Sequence, residues 1–534
     1  MSQLLLISIL APALAALLLA ILPKKIPFSV SLGIGLIGFT IPAVLSVCVF
    51  FTYISMGESG FLFQQTIETG MSNLGISLKL GVNGVSAPLF LMAGIVGLAA
   101  GITAAFSIAQ RKRTYLALLL MMQTGLMGIF ATYDIFYIYF FHEFALIPTF
   151  IMIAIWGGAH RRQAAMEMTI YLTLGAMLSL IGLVGIYAGN DLGSFDLISL
   201  AAYLAEHGLA STLQNSLFGI LLLGLGILVS LFPFHSWAPR GYTAAPTSVS
   251  MLHAGVLKKF GLYVLIQVAL PLLGQGAIGW TDILAILALG NIVVIGFVTI
   301  AQKDLKQMLS YASVMHMGYA FLGIASLSVI GVGGAVMLML AHGLSVALLF
   351  NLSVSVQNRC RTFYMDEMGG LGREAPILAG LLMAAMMASI GLPGFANFWG
   401  EFTIFLSLWQ WNPVYMILAL IGVVISAVYG LRALSAVLFG EQTESLKNTL
   451  KEYPVKDMSW IERLPAILLL FSLLLFGLFP ALAGDSISRT VEDHIMSAGN
   501  TRPMVMQLEA KTPDALLGHD DPEPAPQTPT DTHE

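Results

Sequence analysis

Charge is what this sequence lacks most. Lys, Arg, Asp and Glu together make up 10% of its 534 residues, against roughly 25% in a soluble domain. A chain so poor in charge cannot cover a water-facing surface, which excludes a soluble enzyme and a nucleic-acid-binding protein. The net charge of −5 adds little, because placement of charge matters here and not its sum. Cysteine is the second shortage. Cys48 and Cys360 are the only two, too few and too scattered for an iron–sulfur cluster, a zinc site or a disulfide framework. If electrons are involved in the function, another chain carries them. No metal or cofactor is expected in this chain, and the 27 methionines read as lining for helix contacts.

Apolar length is what the sequence has instead. Hydrophobic residues make up 57% of the chain, and runs of about 20 of them recur from end to end, the length that crosses a bilayer core. The expected fold is an all-α polytopic membrane protein with about fourteen transmembrane helices. The spans fall near 3–22, 29–53, 84–108, 115–133, 135–156, 166–189, 216–246, 249–271, 281–301, 308–327, 330–355, 376–409, 413–438 and 464–483. The first run lacks a basic leader and a small-residue cleavage site, so it reads as a retained span.

The loops support that count. Basic residues follow the odd-numbered spans: Lys24 and Lys25; Arg111, Lys112 and Arg113; Arg161 and Arg162. The series continues with Lys303 and Lys306, with Arg359, Arg361 and Arg373, and with Lys447, Lys451 and Lys456. Loops after even-numbered spans hold almost none, Lys79 being the main exception. This alternation is the positive-inside pattern of a multi-pass protein, here expected in a bacterial inner (cytoplasmic) membrane with both termini on the outer side.

Two spans are long and interrupted. The seventh contains LFPFHSWAPRGYTAAP (231–246) and the twelfth GLPGFANFWGE (391–401). Proline and glycine there free backbone groups that lipid cannot satisfy, so such breaks lie within protein or beside water. They stand five spans apart, which implies two five-helix repeats. An odd number of spans per repeat inverts the second, and broken helices at matching places mark an ion path. The expected organisation is therefore 1–114 (helices 1–3), 115–271 (first repeat), 281–438 (second, inverted repeat), 464–483 (helix 14) and a polar, disordered tail at 485–534.

Ionisable residues within the spans each need a reason, since a charge at mid-membrane costs about 2.5–3.5 kcal/mol on insertion scales. Glu143 and His142 lie in the fifth span, and His253, Lys258 and Lys259 in the eighth. His316 lies in the tenth and His342 in the eleventh; Glu401 follows the twelfth-span break. Every one of these groups can hold or release a proton, and a water-linked chain of titratable sites uses them all. Burial favours the neutral form of a group and a nearby opposite charge its ionised form, so moving one charge changes a neighbour's proton affinity. Lys258 and Lys259 are about 100° apart on a helix, so one is expected to face the path and the other to snorkel or pair. Arg432 reads as an anchor, and Asp134 and Glu167 as interfacial.

Four runs, HEFALIPTFIMIAIWGG, FPFHSWAPRGYTAAPTSVSMLHAGVLKKFGLY, DLKQMLSYASVMHMGYAFLGI and GLPGFANFWGEF, resemble the antiporter-like, proton-translocating subunits of respiratory complex I, the NADH:quinone oxidoreductase. Among them the chain is similar to the M, or chain 4, type; an acidic Glu401 separates it from the N type, which carries a lysine there. The resemblance implies roles. Glu143 matches the fifth-helix gating glutamate, Lys259 the central lysine, Glu401 the terminal acidic site, and His316 and His342 the central hydrated axis. It also implies L-, N- and K-type membrane chains as partners, with FMN, iron–sulfur clusters and quinone held by other subunits. The sequence departs from the family in one respect. The seventh-helix lysine that pairs with the glutamate is Leu228 here, and a nearby acidic residue is Arg240. Either Arg240 reaches back to Glu143, or this channel couples differently, or it no longer pumps. A subunit of a multi-chain sodium/proton antiporter, a hydrogenase-linked relative and a non-conducting scaffold stay open as alternatives.

Overall fold

The computed structural model of the chain describes residues 2–23, 25–107, 109–452 and 456–496. Most of the polar tail, 497–534, lies outside the described residues. Among the described residues, thirteen helices are long and apolar enough to cross a membrane. In chain order they begin with α1 (Ser2–Ile21) and α2 (Phe28–Met56). A β-hairpin of β1 (Leu62–Met71) and β2 (Ile76–Val82) follows, antiparallel with Ile67 opposite Leu78. Next come α3 (Ser86–Ala105), α4 (Lys112–Ala131), α5 (Ile135–Trp156) and α6 (Arg161–Ala188). A short amphipathic α7 (Leu197–His207) leads to the seventh span.

That span is broken where proline and glycine predict it. Its first half, α8 (Ser211–Val229), stops short of Phe232–Pro233, and α9 (Trp237–Ala244) resumes after a non-helical stretch. Beyond it run α10 (Thr247–Leu272), α11 (Thr281–Ala301), α12 (Leu305–Ala325) and α13 (Val329–Cys360). The twelfth span is two short helices, α14 (Pro376–Ile390) and α15 (Ala396–Trp411), parted by Gly391–Phe395. Last come α16 (Pro413–Leu438), the peripheral α17 (Glu444–Glu452), α18 (Trp460–Leu478) and α19 (Ala481–Thr490). With the broken span, the helices make the fourteen crossings that the loop charges imply.

Two expectations need correcting. Helix continues from Ala481 through Thr490 and on in π form to Met496, so residues 485–496 are helical, unlike the disorder read for 485–534. Lys306 is not a loop cation: it sits in the first turn of α12 and is buried, 5% exposed. The hairpin was not foreseen at all, because a search for 20-residue apolar runs passes over the alternating pattern of LFQQTIETG. The charge exception Lys79 belongs to this hairpin, and its Nζ pairs with Asp196 Oδ2 at 2.8 Å.

Two helix starts share one construction. Asp134 caps α5 by accepting from the Tyr137 N–H at 3.1 Å, and Asp304 caps α12 by accepting from the Gln307 N–H at 2.8 Å. Each aspartate also forms an antiparallel backbone bridge, Asp134 to Asp196 and Asp304 to Tyr364. The two caps sit five spans apart, as the two helix breaks do.

Every residue in the apolar windows of α10 and α13 is buried, and nearly all of α12 is too. These three helices form the axis of the bundle. His253, Lys258, Lys259, His316 and His342 lie on them.

Candidate functional site

A short 3-10 turn, Leu257–Lys259, interrupts α10 where Val256 leaves helical geometry (φ −123, ψ −60). The turn swings both lysines into the bundle. Lys258 Nζ donates to the Ser313 carbonyl of α12 at 3.3 Å and lies 5.7 Å from the centre of the Tyr242 ring. Lys259 Nζ donates to the Ala254 carbonyl at 2.5 Å and meets His342 Nδ1 on α13 at 3.0 Å. Both lysines are buried. Of the two roles expected for the second lysine, snorkelling or pairing, snorkelling does not occur: α10 is buried along its length, so a long side chain has no interface to reach, and Lys258 bonds within the bundle instead.

From Lys259 a line of buried polar side chains continues. The His342 and His316 rings are 5.9 Å apart between centres. His316 Nε2 meets the Tyr429 hydroxyl of α16 at 3.0 Å, and its Nδ1 lies 3.2 Å from Glu401 Oε1 on α15. That last approach is close but misaligned for a hydrogen bond, so both atoms keep a free lone pair or proton for another partner. Glu401 is buried just past the break in its span. Gly391 makes room for it: its φ of +86 suits glycine, and a Cβ there would stand 2.5 Å from Glu401 Oε2.

On the other side of Lys258, His253 Nδ1 meets the Tyr242 hydroxyl at 3.3 Å, while its Nε2 has no partner among the described residues. A buried nitrogen with no protein partner is where an ordered water belongs. Lys258, His253 and Tyr242 thus form one polar cluster, joined to the Lys259–His342–His316–Glu401 line through the adjacent lysines.

Glu143 stands apart from this line. It lies about 12 Å along α5 from the helix start, with its side chain 33% exposed. Its partner is His142 Nδ1 at 3.2 Å. The His142 ring in turn stacks on Phe260, the neighbour of Lys259, with centres 3.9 Å apart. Arg240 does not reach Glu143. Its guanidinium pairs with Glu167 Oε2 on α6 at 2.7 Å and is 59% exposed. The idea of Arg240 as the missing partner is corrected accordingly; the short α9 carries it outward to α6. Leu228, in the absent lysine's place, is buried and packs toward Gly175 of α6.

Tyr242 and Tyr429 belong to the same buried polar system, and Lys306 is a further buried cation beside it; the sequence pattern signals none of the three. Tyrosine gives no hydropathy signal inside a span, and Lys306 was absorbed into a loop-charge series.

Comparison with known proteins points one way. Residues 132–426 match the family model described as NADH:quinone oxidoreductase/Mrp antiporter, transmembrane. The chain is 34% identical over 439 residues to NAD(P)H-quinone oxidoreductase chain 4-2 of Synechocystis, covering 80% of this chain and 77% of that one. It is 31% identical over 496 residues to chain 4 of the Gloeobacter violaceus enzyme, covering 91% of each. Its structure is similar to a chain of respiratory complex I from Thermus thermophilus (TM-score 0.82, 27% identity, 92% of this chain and 99% of that one). A chain of the Mrp complex from a Dietzia species shares the fold at 18% identity, with a TM-score of 0.79 over 95% of this chain and 99% of that one.

Proposed function

We infer the function from one premise: the chain belongs to the NADH:quinone oxidoreductase/Mrp antiporter transmembrane family. It is an integral, multi-pass, antiporter-like subunit of the chain 4 type, working in the membrane arm of a complex I-like NAD(P)H:quinone oxidoreductase. Its work is to translocate protons, and its neighbours are the other membrane-arm subunits and lipid.

The observation that carries the proton path is the buried line Lys259–His342–His316–Glu401, which spans α10, α13, α12 and α15. We propose that protons pass along it from the Lys258–His253–Tyr242 cluster toward Glu401. Lysine suits the centre because its proton affinity responds readily to burial and neighbouring charge. Glu143 gates entry through His142, whose ring lies against the lysine pair's neighbour Phe260. Its cation partner comes neither from Leu228 nor from Arg240. The matched helix breaks and the matched aspartate caps support two inverted repeats, one per half-path. FMN, iron–sulfur clusters and quinone belong, in this reading, to other subunits, including partners of the L, N and K types. The basic-loop side is taken as cytoplasmic, with both termini opposite.

Affinity purification of the intact assembly tests this. Iron–sulfur and quinone-site subunits come along under this reading. Recovery with small antiporter subunits and no redox partner would replace it with the sodium/proton antiporter alternative. Unchanged pumping in Glu143→Gln with an intact assembly would remove Glu143 from the gate.

A further inference from the structure

One buried cation and one large cavity take no part in the path so far. The cavity, about 820 Å³, lies at the end of the bundle that carries the basic loops. Exposed Gln110, Arg111 and Arg161 form its mouth, and Thr243, Ser248 and buried Lys306 line its inner part. Lys306 Nζ donates to the Ala245 carbonyl at 2.6 Å and lies 5.8 Å from the centre of the Phe363 ring. No carboxylate pairs with it among the described residues.

Below Lys306, α12 carries Ser310, Ser313 and His316 at steps of four, three and three residues. At about 100° per residue these four side chains share one face, within roughly 120° of arc, and span about 15 Å of helix. Each step is occupied. Thr243, which also lines the cavity, meets Ser310 across 3.3 Å. The Ser313 hydroxyl is buried with no partner among the described residues, and its carbonyl accepts from Lys258 at 3.3 Å. A buried orphan hydroxyl between two polar neighbours calls for an ordered water.

We propose that this cavity is the aqueous entry to the proton path, and that Lys306 is its first proton-exchanging group, feeding Lys258 along the polar face of α12. The inference rests on the proton-translocating reading above. In the step, the Lys306 ammonium gives one proton to the hydroxyl and water line at Ser310 and Ser313, which passes one on to the Lys258 amine. Lys306 regains a proton from water in the cavity; no bond other than N–H and O–H changes. The rival role for Lys306 is structural, a peg that ties α12 to the end of α9 through Ala245.

Lys306→Arg separates the two roles. Arginine keeps the charge, the reach and the bond to Ala245, but it does not give up its proton in proteins. The assay is proton translocation per quinone reduced, with the intact complex reconstituted in vesicles and Lys259→Met run alongside. The expected result is an assembled complex whose translocation falls to the Lys259→Met level. If Lys306→Arg pumps as the unaltered chain does while Lys259→Met fails, the entry proposal falls and the proton-translocating reading stands. If both pump normally, the path itself is wrong. A second measurement does not depend on assembly of the arginine variant. In Thr243→Cys, a membrane-impermeant thiol reagent is expected to modify residue 243 from the basic-loop side only, as read by peptide mass. No modification, or modification from the opposite side, overturns the entry.

Discussion

Replacing Lys259 with methionine tests the centre of the path most directly. Methionine keeps much of the stem volume and removes the amine. Two contacts go with it, the 2.5 Å bond to the Ala254 carbonyl and the 3.0 Å contact with His342. Each buried group left without its partner costs about 1–3 kcal/mol, so with two such groups the variant is expected to be less stable by roughly 2–6 kcal/mol and still to assemble. The effect on flux is separate. Without the amine, a proton passing from the Lys258 side to His342 must exist for a moment as an uncompensated charge in a dry interior. The effective penalty there is several kcal/mol; at about 3 kcal/mol it slows the step by roughly two orders of magnitude. The assay is the initial rate of proton uptake into vesicles holding the whole complex, divided by the rate of quinone reduction. The quotient is expected to drop by the share this chain carries. A quotient equal to that of the unaltered complex, with normal assembly, would refute the assignment of Lys259 as an obligatory carrier.

Other perturbations test the edges of the same picture. Glu401→Gln keeps the shape and removes the acid beside His316 Nδ1; translocation is expected to fall while subunit composition, checked by native gel, stays intact. Gly391→Ala forces a side chain onto a φ of +86 and against Glu401 Oε2. A loss of about 1–3 kcal/mol is expected, read as a lower melting temperature of the purified complex together with impaired pumping. Arg240→Gln breaks a largely exposed pair with Glu167, worth at most about 1 kcal/mol, and pumping is expected to be unchanged; a pumping defect would return Arg240 to the path. Asp457 lies outside the spans and accepts from the N–H groups of Ile377, Leu378 and Met458 at 2.7–3.2 Å. Burial pushes its carboxyl up, but those N–H groups outweigh it and hold the acid below its ordinary 3.8. Its support for the start of α14 is therefore full above about pH 4 and is lost as the pH falls through the lowered value. Asp457→Asn should flatten that acid-side decline in thermal stability, and an unchanged slope would count against the cap.

Glu143 shows how the two levels of description differ. Its presence in an apolar span was plain from sequence, and so was the absence of the usual lysine at Leu228. What it touches was not. A carboxylate 33% exposed at mid-span has His142 for its only ion-pair partner among the described residues, and the guanidinium nearest in the motif turned away to Glu167. Pairing depends on which way α9 leaves the break, and no motif encodes that direction.

The sequence by itself determined the class of this protein, its number of crossings and the positions of both helix breaks. Those follow from one-dimensional quantities: the length of apolar runs, the alternation of basic loops, and the backbone demands of proline and glycine in lipid. The ionisable residues could also be named, because each is costly in a span whatever surrounds it. Only the tertiary structure decided which of them touch. It turned both lysines inward through a 3-10 turn, joined Lys259 to Glu401 through two histidines from different helices, and moved Lys306 from loop to interior. Contacts between residues some 50 to 140 positions apart depend on how helices pack, and packing depends on shape, which hydropathy does not record.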